Sequence, residues 1–552
     1  MNTITIGGKA GHGVKAAGKL ISKVLNELGY NFFVLNDYPS IISGGHNFCK
    51  VSFNEKEIYS YYKETDVILA LDKKTIEIHK KDLKKQGVVL FDKNYFQISK
   101  KDYFGTPAKD FVDESKGIDI MRNTALLGSL AFVVGIDFNV LKNVLEKTYP
   151  SKSKLNVEIA EKGYNYAKEN FKQVFKLKKI GKPKRFMCGN SSISEGSVEA
   201  GLNNYFAYPM TPATSILHYL AQRKKELNLK VVQPENEISV IMMALGSSYA
   251  GAKTMVGTSG GGFALMSEAI SLAGMSENPL VIVESQRAGA STGVPTYTQQ
   301  ADLNFVLHAG HGDFPKVVVA PGTHEDAYYK SAEALQIAWK YQLPVIILVD
   351  KHLSENFRNV EFNKKINKFK FKISKGGANY KRYSFVKDGI SPIAFPGMKN
   401  TIVKSTSYEH DEYGISIEDS EKVKKMHDKR IDKIKTLNKE IEKLKTVKVY
   451  GKGKNVILTW GSTVGAAIEA AKELKNTKVV QVLYMLPFPS KEVKKHLSKS
   501  KKIACVEANA TGQFADLVEL KTKIKINNRI LKYDSRQFEP IELRKELKRW
   551  FK

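Results

Sequence analysis

The chain has 552 residues, 42% of them hydrophobic, which is enough to bury several cores and build about two to four domains. Its formal net charge of +30 raises nucleic acid as a partner, but the lysines run the whole length, mostly beside glutamates as in EVKKHLSKSKK and NKEIEKLKTVK, with no zinc-finger spacing and no aromatic RNP-type signature. No nucleic-acid partner is expected, and the charge reads as a lysine-rich surface that steers anionic ligands, nucleotide-like cofactors and a small acidic electron carrier among them.

The absence of any run of about 18 apolar residues predicts no transmembrane helix. The N-terminal MNTITIGGKAGHG lacks the basic and apolar regions of a secretion signal. Cys49, Cys188 and Cys505 lie far apart without a CxxC pair, so no metal site, disulfide framework or iron–sulfur cluster is expected in the chain itself. A reducing, cytoplasmic location follows.

The first segment, residues 1–180, opens with a strand at Thr3–Gly7, a glycine loop and a helix from about Val14 to Leu28. FFVLNDY, DVILALD and GVVLFD follow as buried strands of a mostly parallel α/β sheet. The loop GGKAGHGVKAAGKL carries Gly8, Gly11, Gly13 and Gly18, a spacing that is neither a Walker loop nor a strict GxGxxG. It can bring backbone N–H groups to a phosphate, with Lys9, His12 and Lys15 adding charge, or it can be a tight turn for close packing. SIISGGHNFCKVSF adds Gly44, Gly45 and His46, and a lone histidine there reads as a surface or core residue. The basic FKLKKIGKPKRF reads as a linker.

A second α/β unit, residues 186–355, contains the strands VGTSG, PLVIVESQ, KVVVAPG and LPVIILVD. In YFAYPMTPATSILHYL, Tyr208 ends a strand and Pro209 and Pro212 fix an extended turn, with Thr211 expected as helix N-cap and Pro212 at N1. That places a hydroxyl and free N–H groups at a strand C-terminal end, where open α/β sheets bind ligands. Glu235 and Glu237 precede EISVIMMALGSSYAGA, a helix that reads as buried, and the triplet Gly260, Gly261, Gly262 follows. Either carboxylate can serve the helix dipole, or an acid facing an apolar crevice can hold a proton. Arg287, just past a buried strand in a loop of small residues, is placed to hold a carboxylate bidentately. Residues 356–450 are polar and charged, with one expected helix whose Ile434, Leu437, Ile441 and Leu444 form an apolar stripe. The third unit, residues 451–552, has NVILTWGS, KVVQVLYM and KIACVEAN as strands.

Together these motifs resemble the 2-oxoacid:ferredoxin oxidoreductase family over nearly the whole chain. GKAGHGVKAAGKLI with SIISGGHNFCKVSF resembles the gamma domain, though the commoner form of the first is GGQG. GNSSISEGSVEAGLNNYFAYPMTPATSIL resembles the start of the alpha subunit, with methionine at position 210 where YPITP is usual. SQRAGASTGVPTYTQQADL resembles the 2-oxoglutarate or broad 2-oxoacid branch. GSTVGAAIEAA, YMLPFPS and VEANATGQFADL resemble a transketolase C-terminal-like domain. The gamma-then-alpha order is the fused arrangement of that branch.

The resemblance implies three α/β domains: a gamma domain, a thiamine diphosphate pyrimidine-binding domain and a transketolase C-terminal-like domain. It implies that Glu237, nine residues before Gly246, meets the cofactor's aminopyrimidine ring, with Glu235 as the fallback. Thr211 lies near substrate and thiazolium, with Tyr208 and Pro209 beside it, and Arg287 takes the substrate carboxylate. Gly11, His12 and Gly13 carry the coenzyme A side. The expected reaction converts a 2-oxoacid, 2-oxoglutarate first, and coenzyme A to acyl-CoA, CO₂ and reduced ferredoxin. A pyruvate- or indolepyruvate-specific relative and a non-catalytic scaffold are the alternatives. The GDG motif and downstream asparagine of the diphosphate half are absent, the nearest string being HGDF. Mg²⁺ and a [4Fe–4S] cluster are therefore expected in a beta subunit, within a heterodimer or heterotetramer.

Overall fold

The computed structural model describes residues 1–40 and 45–552; Gly44 lies outside the described residues. Two compact units result, one from residues 1–187, 356–361 and 539–542, the other from residues 188–355, 362–538 and 543–552. The first is built on an eight-stranded sheet whose strands run, in spatial order, Tyr103–Thr106, Leu83–Asp92, Thr65–Ala70, Asn2–Lys9, His46–Asn54, Asn31–Asp37, Phe357–Val360 and Arg185–Cys188.

The half from Tyr103–Thr106 to Asn2–Lys9 is parallel, whereas Asn2–Lys9 pairs antiparallel with His46–Asn54, which pairs antiparallel with Asn31–Asp37. This corrects the expected mostly parallel sheet. Asn31–Asp37 and His46–Asn54 are separated by residues 38–45 alone, shorter than the dozen or so residues a parallel crossover needs. The expected linker also proves to be partly sheet, since Arg185–Cys188 is an edge strand, and residues 357–360, expected in the charged segment, join the same sheet. Asn359 holds them there: its side chain accepts from the Phe32 N–H at 3.1 Å and donates to the Tyr30 carbonyl at 2.8 Å.

The second unit contains a seven-stranded sheet, in order Tyr484–Leu486, Val317–Val319, Pro344–Asp350, Leu280–Gln286, Thr254–Thr258, Asn204–Phe206 and Lys230–Val232. All its pairings are parallel except the first. The central strand Leu280–Gln286 is buried along its whole length, as a strand covered on both faces must be. A five-stranded sheet follows, with Asn455–Trp460 between Thr477–Val482 and Lys502–Glu507. The two sheets are not independent. Tyr484–Leu486, from the third sequence segment, is the edge strand of the middle sheet, and Val256, Ile282, Trp460 and Phe514 share one apolar core.

The charged segment is mostly irregular but for the helix Ser420–Ile441. Its buried face differs from the expected stripe. Leu437 and Ile441 are buried, but so are Lys429, Arg430 and Lys433, while Ile434 is only partly covered. Glu277, itself buried, explains the cations: Lys429 Nζ lies 2.7 Å from Glu277 Oε1, and Lys433 pairs with its other oxygen. These ammonium groups hold the Glu277 carboxyl far below the usual carboxylate range against the opposing effect of burial. Removing one member of such a buried pair strands the others, so Glu277→Ala should lose about 3–5 kcal/mol in a denaturant melt of the chain. Retention of the wild-type midpoint would show that the helix is held by its apolar residues alone.

Candidate functional site

The site expected at the C-terminal ends of the middle sheet is built from four segments of the second unit. The first is the helix Glu237–Tyr249, which starts because Asn236 caps it, its side chain accepting from the Ser239 N–H at 2.9 Å. With that role filled, Glu237 is free of capping duty. Its side chain is buried, and its Oε1 has no hydrogen-bond partner among the described residues. Glu235 is exposed.

Gly262 makes room for the carboxyl: a methyl there would collide with the Thr258 hydroxyl and stand 2.7 Å from Glu237 Oε1. At Gly261 a methyl would meet nothing within 4 Å, which leaves an open backbone beside the carboxyl. The helix is not buried all round, as its sequence suggested. Val240, Ile241 and Ala244 face the core, whereas Ile238, Met242 and Met243 are about half exposed and Gly246 is bare on the stripe they form.

The second segment is the turn at Thr211. The strand before it ends at Phe206, so Tyr208 stands beyond it and is exposed, with Pro209 partly covered. Thr211 is not the N-cap, and Pro212 is not the first helical residue. The helix runs Thr214–Arg223 with Ala213 as its cap, because residues 211–213 form a turn in which the Met210 carbonyl accepts from Ala213 N–H at 2.8 Å. Side chains lock this turn from two sides. Asn190 Nδ2 donates to the Pro212 carbonyl at 2.8 Å, and Arg287 Nη1 donates to the Thr211 carbonyl at 2.9 Å.

Arg287 itself follows the strand Leu280–Gln286 and is partly buried. Burial works against its charge, and the carboxyls of Asp302 and Glu284 support it, although neither forms an ion pair with it among the described residues. The structure thus brings Arg287 and Thr211 into direct contact, and brings Glu237 beside Thr258, whose hydroxyl reaches Met210 Sδ at 3.9 Å. Thr258, Glu284 and Asp302 do not stand out in the sequence as site residues. A glutamate inside the apolar run PLVIVES is the visible signal, since ionisable residues are rarely fully buried.

Within TYTQQADL, Gln300 has a structural part. Gln300 Nε2 donates to Asp350 Oδ2 and to the Trp460 carbonyl, both at 3.2 Å, and its Oε1 accepts from Ala508 N–H at 3.0 Å. It therefore joins the two sheets of this unit at one residue.

In the first unit, Gly11 and Gly13 have φ of 88° and 74°, the left-handed region that favours glycine. Gly13 caps the helix Val14–Glu27 at its N-terminus, and Asn123 Nδ2 donates to the His12 carbonyl at 2.6 Å. A cavity of about 140 Å³ beside Gly11 and His12 is lined by Asp92, Tyr95, Asp119 and Arg122. Arg122 stacks on Tyr95 at 3.9 Å and pairs with both aspartates. His46 is neither an exposed residue nor a lone one: its Nε2 lies 3.0 Å from His79 Nε2. Burial and the His79 ring lower its pKa to about 4.

Among the described residues there is no cluster of three metal-ligating side chains, the three cysteines are free and buried, and no helix is long and apolar enough to cross a membrane.

The family model described as pyruvate flavodoxin/ferredoxin oxidoreductase, thiamine diphosphate-binding, matches residues 195–429, and that of pyruvate ferredoxin/flavodoxin oxidoreductase matches residues 3–166. The fold and the matched family models are those of a thiamine diphosphate-binding oxidoreductase subunit. The 2-oxoacid:ferredoxin oxidoreductase subunit alpha of Saccharolobus solfataricus is 30% identical over 98% of this chain and 96% of its own length. The 2-oxoglutarate synthase subunit KorA of Methanocaldococcus jannaschii is 31% identical over 59% of this chain and 88% of its own. A solved structure of the 2-oxoglutarate:ferredoxin oxidoreductase from Magnetococcus marinus, with 2-oxoglutarate, coenzyme A and succinyl-CoA bound, superposes with a TM-score of 0.90 at 30% identity, covering 100% of this chain and 99% of that one. The chain belongs to the 2-oxoacid:ferredoxin oxidoreductase family, as an alpha subunit of a multi-subunit enzyme.

Two outcomes follow from this geometry. Gly262→Ala should cost about 1–3 kcal/mol by overpacking against Thr258 and Glu237, read as a lower melting midpoint, and an unchanged midpoint would mean that Glu237 does not occupy this space. The folded pKa of His46 lies below its ordinary 6.5. The unfolded chain therefore binds more protons between these values, and stability should fall as pH drops from about 6.5 towards about 4. His46→Gln should flatten that slope in pH-dependent melts.

Proposed function

We propose that this subunit supplies the pyrimidine half of a thiamine diphosphate site that acts on a 2-oxoacid, 2-oxoglutarate first, with residues 186–355 as the binding domain. The supporting observation is Glu237: a buried carboxyl whose Oε1 has no partner among the described residues, beside backbone kept bare by glycine. An orphaned buried acceptor costs about 1–3 kcal/mol, so the residues fit a ligand nitrogen that would satisfy it. When bound, thiamine diphosphate supplies the carbon nucleophile and the electron sink for decarboxylation.

This chain's residues do the rest. Glu237 Oε1 would meet the aminopyrimidine ring of the bound cofactor and share a proton with its nitrogen. Arg287, anchored through the Thr211 carbonyl, directs its remaining N–H donors at the substrate carboxylate, and the Thr211 hydroxyl stands beside the reacting carbonyl with Tyr208 and Pro209 around it. In the net reaction the bond between carboxylate and carbonyl carbon breaks and releases CO₂. A carbonyl–sulfur bond to coenzyme A forms, the thiol proton is released, and two electrons leave to ferredoxin.

The residues 1–180 are the gamma domain, with Gly11, His12 and Gly13 on the coenzyme A side, and residues 451–552 the transketolase C-terminal-like domain. The bound ligands of the Magnetococcus marinus relative support 2-oxoglutarate and coenzyme A. The half-exposed Ile238, Met242 and Met243, with bare Gly246 at the end of their stripe, support a partner that covers this helix. We assign to that beta subunit the diphosphate half, Mg²⁺ and a [4Fe–4S] cluster, in a cytoplasmic heterodimer or heterotetramer.

Glu237→Gln keeps the size and loses the acidic proton. In the complete complex, exchange of the thiazolium C2 proton into D₂O should slow by at least about 10²-fold, the low end for a lost acid–base function, while Glu235→Gln exchanges as wild type. The reverse pattern would move the assignment to Glu235, and no effect in either would reject it. Arg287→Ala should reduce kcat/KM for the 2-oxoacid by about 30- to 1000-fold, the worth of roughly 2–4 kcal/mol of charge-assisted contact. Unchanged kinetics would leave Arg287 with only its bond to Thr211.

A further inference from the structure

Glu284 lies in the strand that leads to Arg287 and has no part in the reaction as described. It is wholly buried there, and among the described residues neither of its carboxyl oxygens has a hydrogen-bond partner. Strand alternation puts Ile282, Glu284 and Gln286 on one face, the face that shares a core with Val256 and Phe263. On that face Thr258 is its direct neighbour in register, and the next pair along is Gln286 with Asp350. Gln286 Oε1 accepts from the Asp302 N–H at 3.0 Å, which sets Asp302 over the same face, its carboxyl against Gly260. A carboxylate anion in such a place, without one donor, would carry an extreme desolvation cost, and a neutral acid would not.

The charged surroundings are mixed. Asp302 and Asp350 face Glu284 on this side, and Arg287 follows three residues later. The helix Glu237–Tyr249 also packs against this strand and carries Glu237, whereas the strand Thr254–Thr258 and the helix Gly260–Leu265 bring no titratable group. Lys351, His352 and Glu355 belong to the short stretch that meets Ser285, through Ser354 Oγ at 2.7 Å, on the opposite face. His324, Asp326 and Lys330 belong to the helix His324–Tyr341, whose Ala334 and Ile337 share the other core with Val281 and Val283.

We propose that Glu284 is a positioning residue for the 2-oxoacid reaction: a buried acid without a donor in the strand that runs into Arg287, it leaves the guanidinium uncommitted for an anionic substrate, and its ionisation competes with that substrate. The inference rests on the reading of Arg287 as the carboxylate anchor. Arg287 makes a single hydrogen bond among the described residues, to Thr211, and no ion pair with either acid. Were Glu284 ionised, the guanidinium would have a buried counter-ion at hand and less to offer a ligand. Burial first, then Asp302 and Asp350, push the Glu284 carboxyl well above its ordinary range, with Arg287 pulling the other way. Burial also raises Asp302. Raising the pH through the Glu284 titration therefore adds negative charge beside the anchor and weakens binding of the 2-oxoacid.

The test is the pH dependence of the 2-oxoacid KM in the complete complex, for wild type and Glu284→Gln. The amide stays neutral at every pH. In alkaline solution the wild-type KM should exceed that of the variant by at least about fivefold more than it does at neutral pH, with the ratio of the two kcat values constant across pH. A KM ratio that does not change with pH overturns the proposal.

A second measurement does not depend on activity or on Arg287. The infrared difference spectrum of wild type minus Glu284→Gln at neutral pH should contain the carbonyl stretch of a protonated, buried carboxylic acid that shifts in D₂O; its absence overturns the proposal as well. Should Glu284→Gln fail to fold, the same band is sought in wild type by its response to alkaline titration, and a band absent or already ionised at neutral pH likewise overturns the proposal. If the infrared band is present while Arg287→Ala leaves KM unchanged, the failure lies with the carboxylate anchor and not with the protonation of Glu284.

Discussion

A carboxyl oxygen buried without a partner is among the few features a folded chain does not tolerate for nothing, and Glu237 Oε1 is such an oxygen. The surrounding structure preserves the space it faces. Asn236 takes over the helix cap, so that Glu237 is not drawn into that role. Glycine at 262 keeps a methyl out of the space, and glycine at 261 leaves the backbone open. The parallel strands end here with Thr258 and Arg287 at their tips, where an open α/β sheet receives its ligands.

The rest of the second unit holds these tips rigid. The Thr211 turn is clamped by Asn190 on one side and Arg287 on the other. Gln300 and Asp350 tie the strand ends to the neighbouring sheet, where Ser462 N–H reaches Asp350 Oδ2 at 3.4 Å. The helix Ser420–Ile441 is fastened through Glu277 by two buried ammonium groups. A site held in this way is preorganised, which is what a cofactor ring and a small anionic substrate require if alignment is to lower the barrier.

The α/β class, the strand segments and the family are legible in the sequence because short apolar runs and glycine-rich turns carry strong local signals. Three things are not. The antiparallel half of the first sheet depends on the chain returning within residues 38–45, and a buried apolar strand reads the same in either direction. The buried cations of Ser420–Ile441 look like a solvated lysine-rich face until Glu277, more than 140 residues earlier in the chain, is placed against them. Thr211 satisfies every local rule for an N-cap, yet the turn it forms is set by Asn190 and Arg287, which are distant in sequence. Within the site, the burial of Glu237 and the exposure of Glu235 separate two residues that spacing leaves open. Glu284 is visible only as an acid inside an apolar strand.

The proposed partner of Glu237 Oε1 is a ring nitrogen of thiamine diphosphate. A density map of the complete complex with the cofactor bound tests this directly. Glu237 Oε1 should lie within hydrogen-bonding distance, about 2.7–3.2 Å, of the aminopyrimidine ring, in the space kept clear by Gly262. A cofactor seated elsewhere, or Glu237 turned to a protein donor in the assembled complex, would contradict it.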